Sequence, residues 1–126
     1  MKMCIFCKIK KDKKKVLFEN KYFYSVMDSY PVTKLHILII SKVHKSSFFN
    51  LNKYTYKNLF DLVLKTKKYV ESVDKKVLGF NVGFNDGKYA GQTIDHFHLH
   101  VIPRRKGDQK NPKGGIRGVI PAKQKY

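Results

Sequence analysis

Apolar residues along the chain follow two periods, and the changes between them lay out the expected elements. Val16-Leu17-Phe18 and the run from Tyr22 to Met27 are separated by the polar turn Glu19-Asn20-Lys21, which predicts two short strands. Asp28-Ser29-Tyr30-Pro31 reads as a turn, because proline presets the backbone there. Leu35 to Lys42 predicts a third strand, with Leu35, Ile37 and Ile39 on one face and His36, Leu38 and Ile40 on the other. Ser46 to Phe49 is expected to form a short helical turn. A long helix follows, capped by Asn52 and running to Val73, with Tyr56, Leu59, Phe60, Val63, Leu64 and Val70 as its buried stripe. Val77 to Phe84 predicts another strand, and a polar, glycine-bearing loop spans Asn85 to Thr93. Ile94 to Ile102 is expected as the last strand, stopped by Pro103. The order predicts an α+β fold with a largely antiparallel sheet and one long helix.

With 126 residues, no internal repeat and no Pro/Ser-rich linker, residues 1–126 read as one domain. Residues 1–15 form a cysteine-bearing, lysine-rich opening segment, and 104–126 form a tail with glycines at 114, 115 and 118. A hydrophobic fraction of 42% is that of a globular protein, which argues against disorder. The longest apolar run, Leu35 to Ile40, contains a histidine and is too short to cross a bilayer. Met1-Lys2-Met3-Cys4 leads into no apolar signal region, so a cytoplasmic protein is expected.

The formal charge of +18 raises the question of nucleic acid. Nearly all of it is lysine spread along the chain, with arginine only at 104, 105 and 117. Base and phosphate readers favour the forked guanidinium of arginine. The charge therefore reads as a solvated surface that steers anionic ligands inward, and no dedicated nucleic-acid surface is expected.

The chemistry is concentrated in two places. Cys4 and Cys7 are the only cysteines, and their spacing suits a metal or a redox pair. In His96-Phe97-His98-Leu99-His100-Val101-Ile102 the three histidines alternate with apolar residues, so on a strand they share one face. Crowded imidazoles resist protonation, and a neutral imidazole attacks phosphorus or binds a metal. The triplet alone leaves those two chemistries open. Asn85, Gln92 and Thr93, beside Gly87 and Gly91, are neutral donors suited to phosphate oxygens.

The histidine strand resembles the signature of the histidine triad (HIT) superfamily. Ala90-Gly91-Gln92-Thr93-Ile94-Asp95-His96 is similar to the approach to that motif. The Ile102 to Asp108 and Asn111 to Pro121 segments resemble a bacterial-type branch labelled diadenosine polyphosphate hydrolases. The likeness extends from Cys4 to about Pro121 and implies a HIT-like fold that pairs as a homodimer, its C-terminal tail near the partner's pocket. It also implies a nucleotide-binding hydrolase that cleaves an adenosine-containing substrate, diadenosine polyphosphates or related adenylyl conjugates, at the α-phosphorus, with His98 as nucleophile and a nucleotidyl-histidine intermediate.

Carried over in this way, His100 contacts the same phosphate, and Asn85, Gln92 and Thr93 hold phosphate oxygens or the bridging atom. Asp28 receives the ribose hydroxyls, and His36 lines the pocket. Without the resemblance, Asp28 reads as a turn former and His36 as a core histidine. Phe23, Val26, Met27 and Leu38 are the expected base pocket. Cys4, Cys7, His44 and His96 are the implied ligands of a structural zinc, against the alternative of unmetallated thiols. Leu35, Ser41 and Asp95 depart from the usual pattern, which has a small residue, a proline and an apolar residue there. An adenosine phosphoramidase and a nucleotide-binding module with little turnover are the alternative functions, and an RNA- or DNA-end-acting member is a further one.

Overall fold

The computed structural model describes residues 4–126. Its regular elements are α1 (Ile5–Ile9), β1 (Val16–Glu19), β2 (Phe23–Met27), β3 (Ile37–Ser41), α2 (Tyr56–Val73), β4 (Val77–Gly83) and β5 (His98–Arg105), with short 3-10 turns between and after them. The five strands form one antiparallel sheet in the order β1-β2-β3-β5-β4. This is the expected α+β architecture, with segments about sixty residues apart brought together where β3 meets β5.

Alternation decides the two sheet faces. Phe23, Ile39, Leu99 and Val101 point toward α2 and pack with Leu51, Leu59, Leu62 and Phe97. Tyr24, Val26, Leu38 and Ile40 point the other way and pack with Phe6 of α1. The hairpin between β1 and β2 is closed by Asn20, whose side-chain oxygen accepts from the amides of Tyr22 and Phe23 at 3.1 and 3.0 Å. Its amide donates to the Asn58 carbonyl at 2.8 Å, which fastens the hairpin to α2.

Five expectations are corrected. The buried stripe of α2 is Leu59, Leu62, Thr66 and Val70, whereas Phe60 and Leu64 are 60% and 40% exposed. Steps of three, four and four keep one helix face toward the sheet, and a residue one place further on lies about 100° around the axis. Asn52 caps the 3-10 turn Lys53–Thr55 that leads into α2, accepting from the Tyr54 amide at 2.9 Å.

β3 begins at Ile37, not Leu35, because Leu35 adopts a left-handed φ of 70° that breaks the extended run. β5 begins at His98, not Ile94, since the Phe97 amide is already committed to the Lys45 carbonyl at 2.7 Å. Nor does Pro103 stop β5. Its carbonyl accepts from Thr33 Oγ1 at 2.7 Å on the side where β3 has ended, so its missing N–H forfeits no ladder bond.

The segment before β1 holds a helical turn, with Cys4 at the N-cap of α1 and Cys7 within it. The tail folds back over β4 and β5 in two 3-10 turns. There Gly114 has φ 89°, and a Cβ on it would meet the Gln124 carbonyl oxygen at 1.7 Å, so only glycine fits. The tandem arginines are clamps: Arg104 is bidentate to Asp108 at 2.9 Å, and Arg105 binds Asp74 at 2.9 Å at the end of α2. No helix among the described residues is long and apolar enough to cross a membrane.

Candidate functional site

The registers of β2, β3 and β5 align two rows across the sheet face that carries α1. Val26, Leu38 and His100 are directly opposite one another, as are Tyr24, Ile40 and His98. The result is an apolar floor ending in imidazoles. His98 is buried and His100 half-buried, while Leu99 between them enters the α2 core.

Hydrogen bonds assign the ring protons. His98 Nδ1 lies 2.8 Å from the His96 carbonyl, so it carries the hydrogen, and Nε2 of the neutral ring keeps its lone pair. His36 Nδ1 accepts from the Val32 amide at 3.0 Å, so its Nε2 carries the proton. That nitrogen lies 2.9 Å from His100 Nδ1 and 3.4 Å from Asp28 Oδ2. His100 then holds its own proton on Nε2, as a neutral donor. Burial lowers the pKa of His36, although Asp28 opposes the shift. Burial, reinforced by His98 and His36, pushes His100 down to about 4.

A cavity of about 290 Å³ opens over this row. Its polar lining includes Asp28, Asn85, Thr93, His98 and His100; its apolar lining includes Val26, Met27 and Leu38. A second cavity of about 400 Å³ shares Asn85 and His100 and adjoins His36, Val82 and Phe84, with Ile116 and Val119 of the tail over it. Asp28 is a turn former that also lines the first cavity. One oxygen accepts from the Tyr30 amide at 2.8 Å in the turn, and the other faces His36.

Two residues expected here lie elsewhere. Phe23 points into the α2 core against Phe97, with ring centroids 6.4 Å apart. Being three residues from Val26, it cannot share a strand face with it. The Gln92 amide is occupied within the loops: its nitrogen donates to the carbonyls of Ser46 at 2.9 Å and Ile94 at 3.1 Å, and its oxygen accepts from the Gly87 amide at 2.8 Å. Gln92 thus braces the loop before β5 against the loop after β3. Conversely, Ile5, Phe6 and Ile9 of α1, with Ile94, line the cavity and were missed. The signal was present, since Ile5, Phe6 and Ile9 make one apolar face of a helical turn inside a lysine-rich segment.

The second cluster joins α1 to the strand. Cys4 Sγ and Cys7 Sγ lie 3.5 and 3.6 Å from His96 Nδ1. Cys7 Sγ is 3.4 Å from His44 Nδ1, and the two imidazole nitrogens are 3.0 Å apart. His96 Nε2 donates to the Ser41 carbonyl at 2.7 Å, which turns the Nδ1 lone pair toward the thiols. Tetrahedral zinc at ordinary bond lengths needs nitrogen–sulfur separations of about 3.5 Å and nitrogen–nitrogen separations of about 3.3 Å. These four groups fit it. Burial and the neighbouring Cys4 push the Cys7 thiol up, a shift that a bound cation reverses.

The departures from the usual pattern are also accounted for in part. Ser46 donates to Asp95, so Asp95 is another tie between the two loops. Ser41 donates to the Val43 carbonyl at 2.8 Å while its own carbonyl orients His96. Leu35 holds the left-handed backbone that a glycine at that position would adopt without strain.

A strand with histidines at alternate positions, clipped to a Cys-x-x-Cys turn and roofed by a glycine-bearing loop, is the architecture of a histidine triad protein. The HIT domain model matches residues 10–107, and the chain belongs to the HIT family. It is 35% identical over 107 residues to an adenosine 5'-monophosphoramidase of Candida albicans, covering 81% of this chain and 70% of that one. Among solved structures, a HIT family protein from Bacillus anthracis superposes with a TM-score of 0.75 at 37% identity, covering 83% of this chain and 75% of that one. A Zn-bound histidine triad family protein from Mycobacterium smegmatis superposes with a TM-score of 0.76 at 31% identity, covering 86% and 79%.

Proposed function

We propose that the protein is a nucleotide-binding hydrolase that cleaves adenosine phosphoramidates and related adenylyl conjugates at the α-phosphorus. The observation that carries this reading is the His98 tautomer: Nδ1 is committed to a backbone carbonyl, so the lone pair of Nε2 is available to a phosphorus in the cavity. Nε2 forms a bond to phosphorus as the bond to the leaving group breaks, and the leaving group departs with a proton taken from solvent, which the water consumed in the second step returns. Water then attacks the same phosphorus, the nitrogen–phosphorus bond breaks, and the nucleoside monophosphate is released. The neutral His100 supplies an N–H to a phosphate oxygen, with Asn85 and Thr93 as further donors. Asp28 is placed for the ribose hydroxyls, and α1 with Val26, Met27 and Leu38 receives the base.

Diadenosine polyphosphates are the second reading, supported by the likeness of the C-terminal segments to that branch. Against them, among the described residues neither cavity is lined by lysine or arginine, despite the charge of +18. A polyphosphate leaving group meets no cation among them, whereas a neutral amine or alcohol suits the apolar second cavity. The surface charge steers the substrate without ligating it.

The four-donor cluster is read as a structural zinc site, which when filled supplies a closed tetrahedral tie between α1 and the histidine strand. The reading extends to a single domain over residues 1–126 in the reducing cytoplasm, and to a two-fold homodimer. The unpaired edge of β4, with Leu78 exposed on it, supports that pairing. Phe60 and Leu64 on the outer face of α2 support it too.

The test is turnover of adenosine 5'-phosphoramidate and diadenosine tetraphosphate, followed by chromatography of released AMP. Hydrolysis of the phosphoramidate is expected, falling on the order of a thousandfold or more in His98→Ala. Full activity in that variant would defeat the mechanism.

A further inference from the structure

The helix α1 has only five residues, too few to hold a helical shape by its own hydrogen bonds. Its position is therefore set by what it touches, and its faces touch different things. One face presents Cys4 and Cys7 to His44 and His96. Another presents Ile5 and Ile9 to the cavity over His98. Between them, the Phe6 ring sits 5.8 Å from the His96 ring and 5.0 Å from the His98 ring. Apart from the cysteines, α1 is held by burial of Phe6, by the Tyr24 hydroxyl donating to the Phe6 carbonyl, and by Lys10 Nζ on the Lys42 carbonyl at 3.1 Å.

We infer that α1 is a metal-latched wall of the nucleoside pocket, so that occupancy of the Cys4–Cys7–His44–His96 site sets the affinity for the base. The inference rests on the nucleotide-binding reading above and deepens it. With a cation bound, two of its four donors fasten the two ends of the turn bearing Ile5 and Phe6. With the site empty, the thiols and imidazoles are only weak partners for one another, and α1 keeps its hold at Phe6 and at the Lys10–Lys42 bond beyond its C-terminal end. Ile5 and Ile9 then no longer stay over the pocket. The phosphate and ribose groups are spared, because Asp28, Asn85, Thr93 and His100 belong to the sheet and to loops that the cysteines do not hold. The site thus tunes recognition of the base separately from recognition of the phosphate.

The experiment compares AMP with ribose 5-phosphate, which lacks the base, as calorimetric ligands of zinc-loaded and chelator-stripped protein. Amide exchange is followed in both α1 and α2. Stripping is expected to weaken AMP about tenfold or more, the loss of roughly 1.4 kcal/mol of apolar contact, and to leave ribose 5-phosphate within about twofold. Exchange is expected to accelerate at residues 5–9 while α2 stays protected. His44→Ala, a change at an exposed ligand, is expected to shift AMP affinity in the same direction. The wall variant Ile5→Ser is expected to weaken AMP with its zinc retained. Unchanged AMP affinity after verified metal loss would overturn the latch, as would equal loss of protection in α2, which would make the metal a global tie. Zinc-loaded protein that binds ribose 5-phosphate but not AMP would refute the base pocket and the latch together. If it binds neither, the nucleotide reading itself fails.

Discussion

His36 Nε2 donates to His100 Nδ1 across 2.9 Å, between residues 64 positions apart in sequence. The direction of the bond follows from the Val32 amide, which occupies the other His36 nitrogen. The backbone N–H of Val32, at the edge of the second cavity, thereby settles which nitrogen of His100 faces the substrate. His36 is a positioning residue in this arrangement, acting through His100.

Replacing His36 with alanine removes the partner that selects the His100 tautomer. The expected outcome is a fall in kcat of about tenfold to a hundredfold with KM little changed, the scale typical of groups that orient a reacting residue. His36→Gln, which retains an N–H near the same place, is expected to recover part of the loss. Equal rates in wild type and His36→Ala would show that the tautomer is set elsewhere.

Stability is expected to decline on acidification through a particular window. Burial lowers His100 to about 4 in the folded protein, below the ordinary histidine value near 6.5. The folded state is therefore the one that resists the proton. This contribution is fully present above about pH 6.5, is lost progressively as pH falls toward 4, and changes no further below that. Because His100 is partly exposed, the loss is discounted for solvent screening to roughly 1–2 kcal/mol. Denaturant melts of wild type and His100→Gln across this range check it, and identical pH slopes would contradict it.

Gln92→Leu is expected to destabilise the protein by about 1 kcal/mol, since it removes the donor to the Ser46 carbonyl and unties the two loops, while the Ile94 carbonyl keeps the His96 amide and the exposed Gly87 amide turns to water. The accompanying rise in KM follows from a loosened loop. If Gln92 instead served the transition state directly, kcat would fall in a variant of unaltered melting temperature.

Thr66 is wholly buried on α2, and among the described residues its hydroxyl is the one buried side-chain polar atom with no hydrogen-bond partner. Thr66→Val replaces that oxygen with a methyl group of similar size. A gain of about 1 kcal/mol is expected, read as a shifted denaturant midpoint at constant slope. A loss of stability would mean that the hydroxyl is satisfied after all.

The features legible in the chain are those that depend on near neighbours. Alternation placed His98 and His100 on one face and Leu99 on the other, and the period change marked the single long helix. The spacing of Cys4 and Cys7 announced a joint site, although the amphipathic turn between and after them went unread. The same local rule places Phe23 on the opposite face of β2 from Val26.

Other features were decided by contacts between distant segments. Which face of β5 meets α2, and which meets α1, depends on pairing with β3, and no short-range pattern encodes it. The Gln92 amide points at a loop more than forty residues earlier, because carbonyls bared there by a turn need donors. Leu35 takes a left-handed backbone that its own side chain disfavours, held by the turn and strand on either side. Periodicity determines which residues travel together. What they meet is settled only when the sheet closes, because burial and hydrogen bonding reward the whole arrangement and not any one segment.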